Sequence, residues 1–205
     1  MSQFFVLGLH ANAQCGKDTA ANILLNGMFC GRNVRTYAFA KPFKDALAIM
    51  LNMSVEQLYG SKKLEVDETY GVTPRYALTS IGTEWGRNMI NPEIWIIRAK
   101  QEIEKAMADG CDGIIITDVR FPNEAEAIYS FNSPENGIVA TIMHISAPGV
   151  ECQHEMYQHE SEQVLEFNED LDVKVINPYK TMSDDAALVT YDRSLSRALL
   201  PRGIS

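Results

Sequence analysis

Phe4-Phe5-Val6-Leu7-Gly8-Leu9-His10-Ala11-Asn12-Ala13-Gln14-Cys15-Gly16-Lys17-Asp18-Thr19 carries an apolar run, a glycine-containing loop and the start of a helix in direct succession. Phe4–His10 reads as a buried strand. Asp18–Phe29 reads as a helix, with Ala21, Leu24, Leu25 and Met28 on one face. The loop between them approximates the phosphate-loop pattern G-x-x-x-x-G-K-[ST]. Gly16 and Lys17 match it. Ala11 stands at the first glycine, and Asp18 at the Ser/Thr position with Thr19 one place later. Gly16 allows the backbone to turn its N–H groups toward an anion, and the following helix adds its N-terminal dipole. Lys17 supplies a mobile cation for the β- and γ-phosphates. Asp18 is placed to hold Mg²⁺ through water, since that ion keeps much of its hydration shell. Thr19 can donate to a phosphate oxygen.

The same alternation continues along the chain. Strands are expected at Val34–Ala40, Gly113–Asp118, Ile138–Ile145 and Val173–Ile176. Helices are expected at Pro42–Leu51, Tyr76–Met89, Asn91–Asp109, Pro122–Phe131 and Thr181–Leu199. Asn91-Pro92-Glu93 supplies a capping Asn, a Pro at the first helical position and an acid near the positive end; Gly110 stops that helix. Continuous apolar strands alternating with helices predict an α/β fold with a parallel sheet covered on both faces. In such sheets ligands sit at the carboxyl ends of the strands.

Composition sets outer limits. The 205 residues fit one domain, 1–205, with a small lid-like segment at about 148–163. No apolar run approaches the roughly 18 residues of a membrane span, and no basic region precedes the apolar N-terminal stretch as it would in a secretory signal. The net charge of −9 disfavours nucleic acid as a partner, because neutralising its backbone needs a basic surface. That charge is uneven: residues 1–106 sum to +2 and residues 107–205 to −11. Cations for a polyanion site therefore come mainly from the first half. Cys15, Cys30, Cys111 and Cys152 show no C-x-x-C spacing, which points to free thiols in a reducing, cytoplasmic compartment.

The ends of the other strands carry the remaining candidates. Phe39-Ala40-Lys41-Pro42-Phe43-Lys44 places two lysines one helical turn apart, suited to a second phosphate group. Arg75 and Arg87 bracket one helix that also holds Thr83, Glu84 and Trp85. Arginine suits bidentate phosphate recognition, and the neighbouring Trp could stack on or rim a base. Asp118 ends an apolar strand opposite the phosphate loop, where a carboxylate can orient a metal's water shell or act as a base, and Arg120 can bridge transferring phosphates. Cys152, His154 and His159 lack the second cluster that a tetrahedral zinc site needs, so that stretch reads as a polar lid. It holds no Lys or Arg from Phe121 to Val173.

Taken in order, Gly16-Lys17-Asp18-Thr19, Phe39–Lys44, Arg75 with Gly82-Thr83-Glu84-Trp85-Gly86-Arg87, Trp95, Asp118-Val119-Arg120-Phe121-Pro122-Asn123-Glu124, His159-Glu160-Ser161-Glu162 and Ile176-Asn177 resemble the phage-type deoxynucleoside monophosphate kinases, within the P-loop nucleoside monophosphate kinase fold. The resemblance runs from Phe5 to about Asn177. It implies a three-layer fold with five parallel strands, Mg-ATP as donor and a deoxynucleoside 5′-monophosphate as acceptor, in a (host) cytoplasm. By position it implies that Ala13, Gln14, Cys15, Gly16, Lys17, Asp18 and Thr19 hold ATP phosphates. Phe39, Lys41, Lys44, Arg75, Thr83, Glu84, Trp85, Arg87 and Arg120 would face the acceptor or the transferring group. Lys17, Asp118 and Arg120 would serve catalysis, and Asp18 and Asp118 would hold the metal through water. A homodimer is compatible with it. Two departures stand out: Ala11 at the first glycine, and a lid without arginine. Another small-molecule P-loop kinase, such as a phosphomevalonate-like one, or a non-catalytic nucleotide-binding protein fits the same loop.

Overall fold

A computed structural model of the chain describes residues 3–12, 15–148, 165–179 and 183–204. The lid-like segment expected near 148–163 and the His159 motif lie almost wholly outside the described residues. The chain divides into two compact units: Met1–Ala38 with Lys100–Ser205, and Phe39–Ala99.

The first unit is built on β1 (Phe4–Ala11), β2 (Val34–Tyr37), β3 (Gly113–Ile116), β4 (Ile138–Ser146) and β5 (Val173–Ile176). They form one sheet in the order β2-β3-β1-β4-β5, with every pairing parallel. β1 is central: Gly8 is level with Ile116 on one side and Ile142 on the other. Alternation along β1 sorts its residues between the two faces. Phe5, Leu7 and Leu9 enter a core shared with α1 (Lys17–Asn26) and α7 (Asp184–Leu199). Gly8 faces the opposite way, toward α6 (Pro122–Tyr129); a Cβ there would come 2.8 Å from Ile128 and 2.9 Å from Val119. Helices thus cover both faces, the three-layer α/β arrangement expected from the sequence and consistent with the P-loop kinase fold.

Local sequence explains where these elements end. Gly110, at φ +71°, stops α5 (Ile94–Ala108), and Cys111 N–H closes back on Ala106 O at 3.0 Å. The Asn91 side chain accepts from Glu93 N–H at 2.8 Å in a turn ahead of α5, which begins at Ile94 and not at Pro92 as the capping reading of Asn91-Pro92-Glu93 expects. On α7 the buried stripe is Ala187, Tyr191, Leu195 and Leu199, each fully buried, while the larger Leu188 next to Ala187 is 46% exposed. An i, i+4, i+8, i+12 row is straight only if it starts at 187, so the smaller Ala187 takes the contact. β2 is shorter than expected and stops at Tyr37, whose carbonyl takes Thr117 N–H at 2.9 Å.

The second unit contains α2 (Lys41–Met50), the single turn α3 (Val55–Leu58) and α4 (Pro74–Thr79). The continuous helix expected over Tyr76–Met89 is two structures: α4, then a π-helix over Ser80–Ile90. Asn91 N–H bonds to Gly86 O, five residues back, at 3.0 Å. Packing supplies the reason for this wider coil. Trp95 is buried and its indole N–H donates to Gly82 O at 2.7 Å. Its ring lies 4.9 Å from that of Phe43. A Cβ on Gly86 would meet Trp95 at 2.6 Å, and one on Gly82 would meet Phe43 at 3.3 Å. The two glycines let the coil lie directly on the aromatic pair. Gly86→Ala is therefore expected to destabilise this unit by about 1–3 kcal/mol, as overpacking does. Chemical denaturation followed by Trp fluorescence measures it; unchanged stability would remove this account of the π-helix.

Candidate active site

The candidate phosphate loop lies where β1 gives way to α1. Ala13 and Gln14 lie outside the described residues; the rest of the loop is defined. Cys15 N–H donates to Asn12 O at 3.2 Å, turning the chain. Gly16 then adopts φ +85°, the left-handed region that favours glycine, and its carbonyl receives Ala20 N–H at 3.0 Å to start α1. Gly16 offers no side-chain cap, and among the described residues no side chain accepts from the first-turn N–H groups of that helix. This is the electrostatic arrangement that suits a phosphate. Lys17 Nζ lies 3.3 Å from Asp18 Oδ1, with Asp18 81% exposed. A solvated pair of this kind contributes little and leaves Lys17 able to turn to a stronger anion. Thr19 is exposed on the first turn.

The loop has a buried support that the sequence reading did not assign. Asn177, just beyond β5, is 5% exposed. Its side-chain NH₂ donates to Cys15 O at 2.9 Å, and its side-chain oxygen accepts from Tyr179 N–H at 3.0 Å. The sequence signal was present as an Asn directly after an apolar strand.

At the neighbouring strand end, Asp118 and Arg120 are half-buried on either side of the buried Val119. Val119 N–H bonds to Leu9 O at 3.1 Å. Its carbonyl receives His10 Nδ1–H at 3.0 Å, a bond that requires the proton on Nδ1. Glu124, 2% exposed, accepts from Arg120 N–H at 2.8 Å and Phe121 N–H at 3.1 Å, and so fixes both the turn and the start of α6. The structure therefore brings Cys15, Gly16, Lys17, Asp18, Thr19, Asp118 and Arg120 to the carboxyl ends of two hydrogen-bonded strands. Asp18 and Asp118 offer hard carboxylate oxygens of the kind Mg²⁺ takes alongside its waters.

Behind these ends lies a buried polar chain. The Asp172 carboxylate, fully buried, accepts from Tyr129 OH at 2.7 Å, Asn168 N–H at 2.9 Å, Ile142 N–H at 3.3 Å and His144 Nε2 at 2.9 Å. The His144 ring is 5.1 Å from that of His10. Burial alone would raise the Asp172 pKa, but the bonds from His144, Asn168 and Tyr129 hold it below the ordinary carboxylate value. Burial pushes the His10 pKa below its usual 6.5, with His144 and Arg120 adding to the effect against the Val119 bond. Burial, then the Asp172 carboxylate, drives the Tyr129 pKa well above its usual value.

The second unit holds Phe39, Lys41, Lys44, Arg75, Thr83, Glu84, Trp85 and Arg87. Lys41 pairs with Asp45 at 2.6 Å, and Lys44 Nζ sits 3.9 Å from the centre of the Tyr59 ring. Arg75 is at the start of α4; Thr83, Glu84, Trp85 and Arg87 are all on the π-helix. π-helical turns frequently mark functional sites. Of the two tryptophans, Trp85 is 45% exposed and available to a ligand, whereas Trp95 belongs to the core. Phe39 is buried.

No family model matches the chain. A deoxynucleoside-5′-monophosphate kinase of Escherichia phage T5 is 27% identical over 184 residues, covering 62% of this chain and 72% of the relative. A protein of Acanthamoeba polyphaga mimivirus, provisionally named a deoxynucleotide monophosphate kinase, is 25% identical over 189 residues, covering 84% and 88%. The chain is similar to these viral deoxynucleoside monophosphate kinases. Among the described residues no helix is long and apolar enough to cross a membrane.

The buried chain fixes a pH dependence. His10 and Asp172 both have folded-state pKa values below their ordinary ones, so each stabilises the fold above its unfolded pKa and loses that contribution as pH falls. Tyr129 has a raised value, so its contribution is lost as pH rises past its unfolded pKa. Stability should thus fall below about pH 6.5 and again above about pH 10. Asp172→Asn removes the negative charge and replaces one of the two acceptor oxygens by an NH₂ donor, and is expected to cost about 3 kcal/mol at pH 7. Thermal unfolding across pH checks both; a flat profile, or a variant as stable as the parent, would contradict them.

Proposed function

We propose that the chain transfers the terminal phosphoryl group of ATP to the 5′-phosphate of a deoxynucleoside monophosphate. The observation that carries this reading is the loop between β1 and α1, with Gly16 at φ +85° opening an uncapped helix beside Asp118 at the adjacent strand end. The names of the viral relatives support the acceptor class.

In this mechanism the acceptor phosphate is itself the nucleophile, so no strong base is needed. Catalysis is positioning and charge stabilisation. The loop from Ala13 to Thr19 cradles the ATP phosphates with its N–H groups. Lys17 leaves Asp18 and follows the transferring group, whose charge spreads over its oxygens in the transition state. Asp18 and Asp118 would hold Mg²⁺ through water, where it would supply charge neutralisation to the donor phosphates. Arg120, whose backbone N–H is held by Glu124, lies on the same edge to bridge donor and acceptor. Lys41, Lys44, Arg75 and Arg87 bind the acceptor's phosphate. Thr83, Glu84 and Trp85 contact its nucleoside, with the buried Phe39 packed behind and not at the ligand surface. With no arginine in residues 121–173, charge neutralisation falls to Lys17, the metal and these arginines.

The test is ADP release from Mg-ATP with dGMP, dTMP, dCMP, dAMP and their ribose counterparts. Turnover on one or more deoxynucleotides is expected, lowered roughly 10²–10³-fold by Lys17→Ala. Turnover on none of them, with ATP still bound, would leave another acceptor or a binding protein. Arg75→Ala and Arg87→Ala are expected to raise the acceptor KM and leave that for ATP unchanged. Normal acceptor kinetics in both would displace the acceptor-site assignment.

A further inference from the structure

The phosphate loop follows β1, yet the side chain that holds it comes from the far end of the chain. β5 is two strands away from β1 in the sheet, with β4 between them. Asn177 N–H is anchored to Ser146 O on β4 at 2.7 Å. From there the side chain reaches the loop, and both ends of its amide are used: NH₂ to Cys15 O at 2.9 Å, carbonyl to Tyr179 N–H at 3.0 Å. The contact is buried, and the space beside it is filled. A Cβ on Gly16 would lie 2.3 Å from Asn177 Nδ2. Asn177 therefore forms the rear wall of the loop at the residue where the backbone turns left-handed.

A planar trans peptide points its C=O and N–H in opposite directions. The Cys15–Gly16 peptide is trans, and Asn177 takes its carbonyl on one side. The Gly16 N–H is thereby directed to the other side. We propose that Asn177 is a positioning residue of the donor subsite: it locks the Cys15–Gly16 peptide so that the Gly16 N–H faces the ATP phosphates. It rests on the nucleotide-kinase reading above. The side chain touches no reacting atom. It acts by preorganisation, since an N–H already aimed at the phosphate costs nothing to turn when ATP binds. Its removal also leaves the Cys15 carbonyl buried and unpaired, free to rotate the peptide the wrong way.

The experiment separates donor chemistry from shape. Asn177→Ala removes the amide and leaves space. Asn177→Asp keeps the shape, replaces the NH₂ donor by an acceptor facing the Cys15 carbonyl, and adds a negative charge behind the loop. The inference expects the KM for Mg-ATP to rise about tenfold in Asn177→Ala, and further in Asn177→Asp, with the deoxynucleotide KM unchanged. Asn177→Gln, which keeps the donor, should recover part of the loss. A packing role alone predicts the reverse order, with the isosteric Asp milder than Ala. That order, or equal loss of ATP and acceptor affinity, would overturn the proposal.

A measurement on the unmodified chain runs beside the variants and stands even if they fail to fold. On titration with inorganic tripolyphosphate, the Gly16 amide and the Asn177 side-chain amide resonances should shift together, because an anion on the N–H polarises the carbonyl that Asn177 holds. A Gly16 shift with an unmoved Asn177 amide, or no shift of either, would overturn it. If the unmodified chain shows neither Mg-ATP binding nor turnover, the kinase reading fails. The tripolyphosphate titration then decides alone whether Asn177 positions an anion-binding loop.

Discussion

β1 is hydrogen-bonded along both edges, to β3 and to β4, and packed on both faces. That confinement places the candidate site residues of its own unit. A central parallel strand cannot turn back within the sheet, so its chain must leave at the carboxyl end and cross over through a helix. The phosphate loop is that exit. With all five strands parallel, the exits of β3, β4 and β5 open on the same edge. Asp118, Arg120 and Asn177 reach that edge for the same topological reason, although up to 162 residues separate them from the loop.

The polar groups near this edge do two kinds of work. Lys17, Asp18 and Thr19 remain solvated or loosely paired, and so are free to exchange water for a ligand. Asn177, Glu124, His10 and Asp172 are buried or half-buried with defined partners, and they fix backbone rather than meet solvent. Each holds a carbonyl, an N–H or another side chain in place. A buried polar group without a partner is costly, so such networks specify one geometry. Here that geometry is the backbone of the loop and of the segment around Val119.

The second unit uses a different device. Its exposed candidates sit on a π-helix made possible by Gly82 and Gly86 lying against Phe43 and Trp95. The coil turns Trp85 outward while Trp95 is spent on the core. Two aromatic residues of the same kind, ten positions apart, thus have opposite fates, and the difference is the absence of a Cβ at the glycines.

Much of this was legible in the sequence. The order of strands and helices followed from apolar runs and turn residues, because strands buried on both faces must be continuously apolar. The strand-to-helix turn at Gly16 was legible because a tight turn into a helix there calls for a residue that accepts positive φ. Asp118 was legible because it ends an apolar strand. Other features depended on contacts between distant segments. A 3.6-residue pattern over 76–89 gives an α-helix, and only the fit against Trp95 makes part of it a π-helix. Leu188 and Ala187 are neighbours, and the straightness of the row toward Leu199 decided which is buried. Asn177 stood out in the sequence, but what its amide holds could not be read locally. An Asn after a strand is a common turn residue; only the sheet order, which sets β5 beside β4 and β4 beside β1, brings its amide to the Cys15 carbonyl.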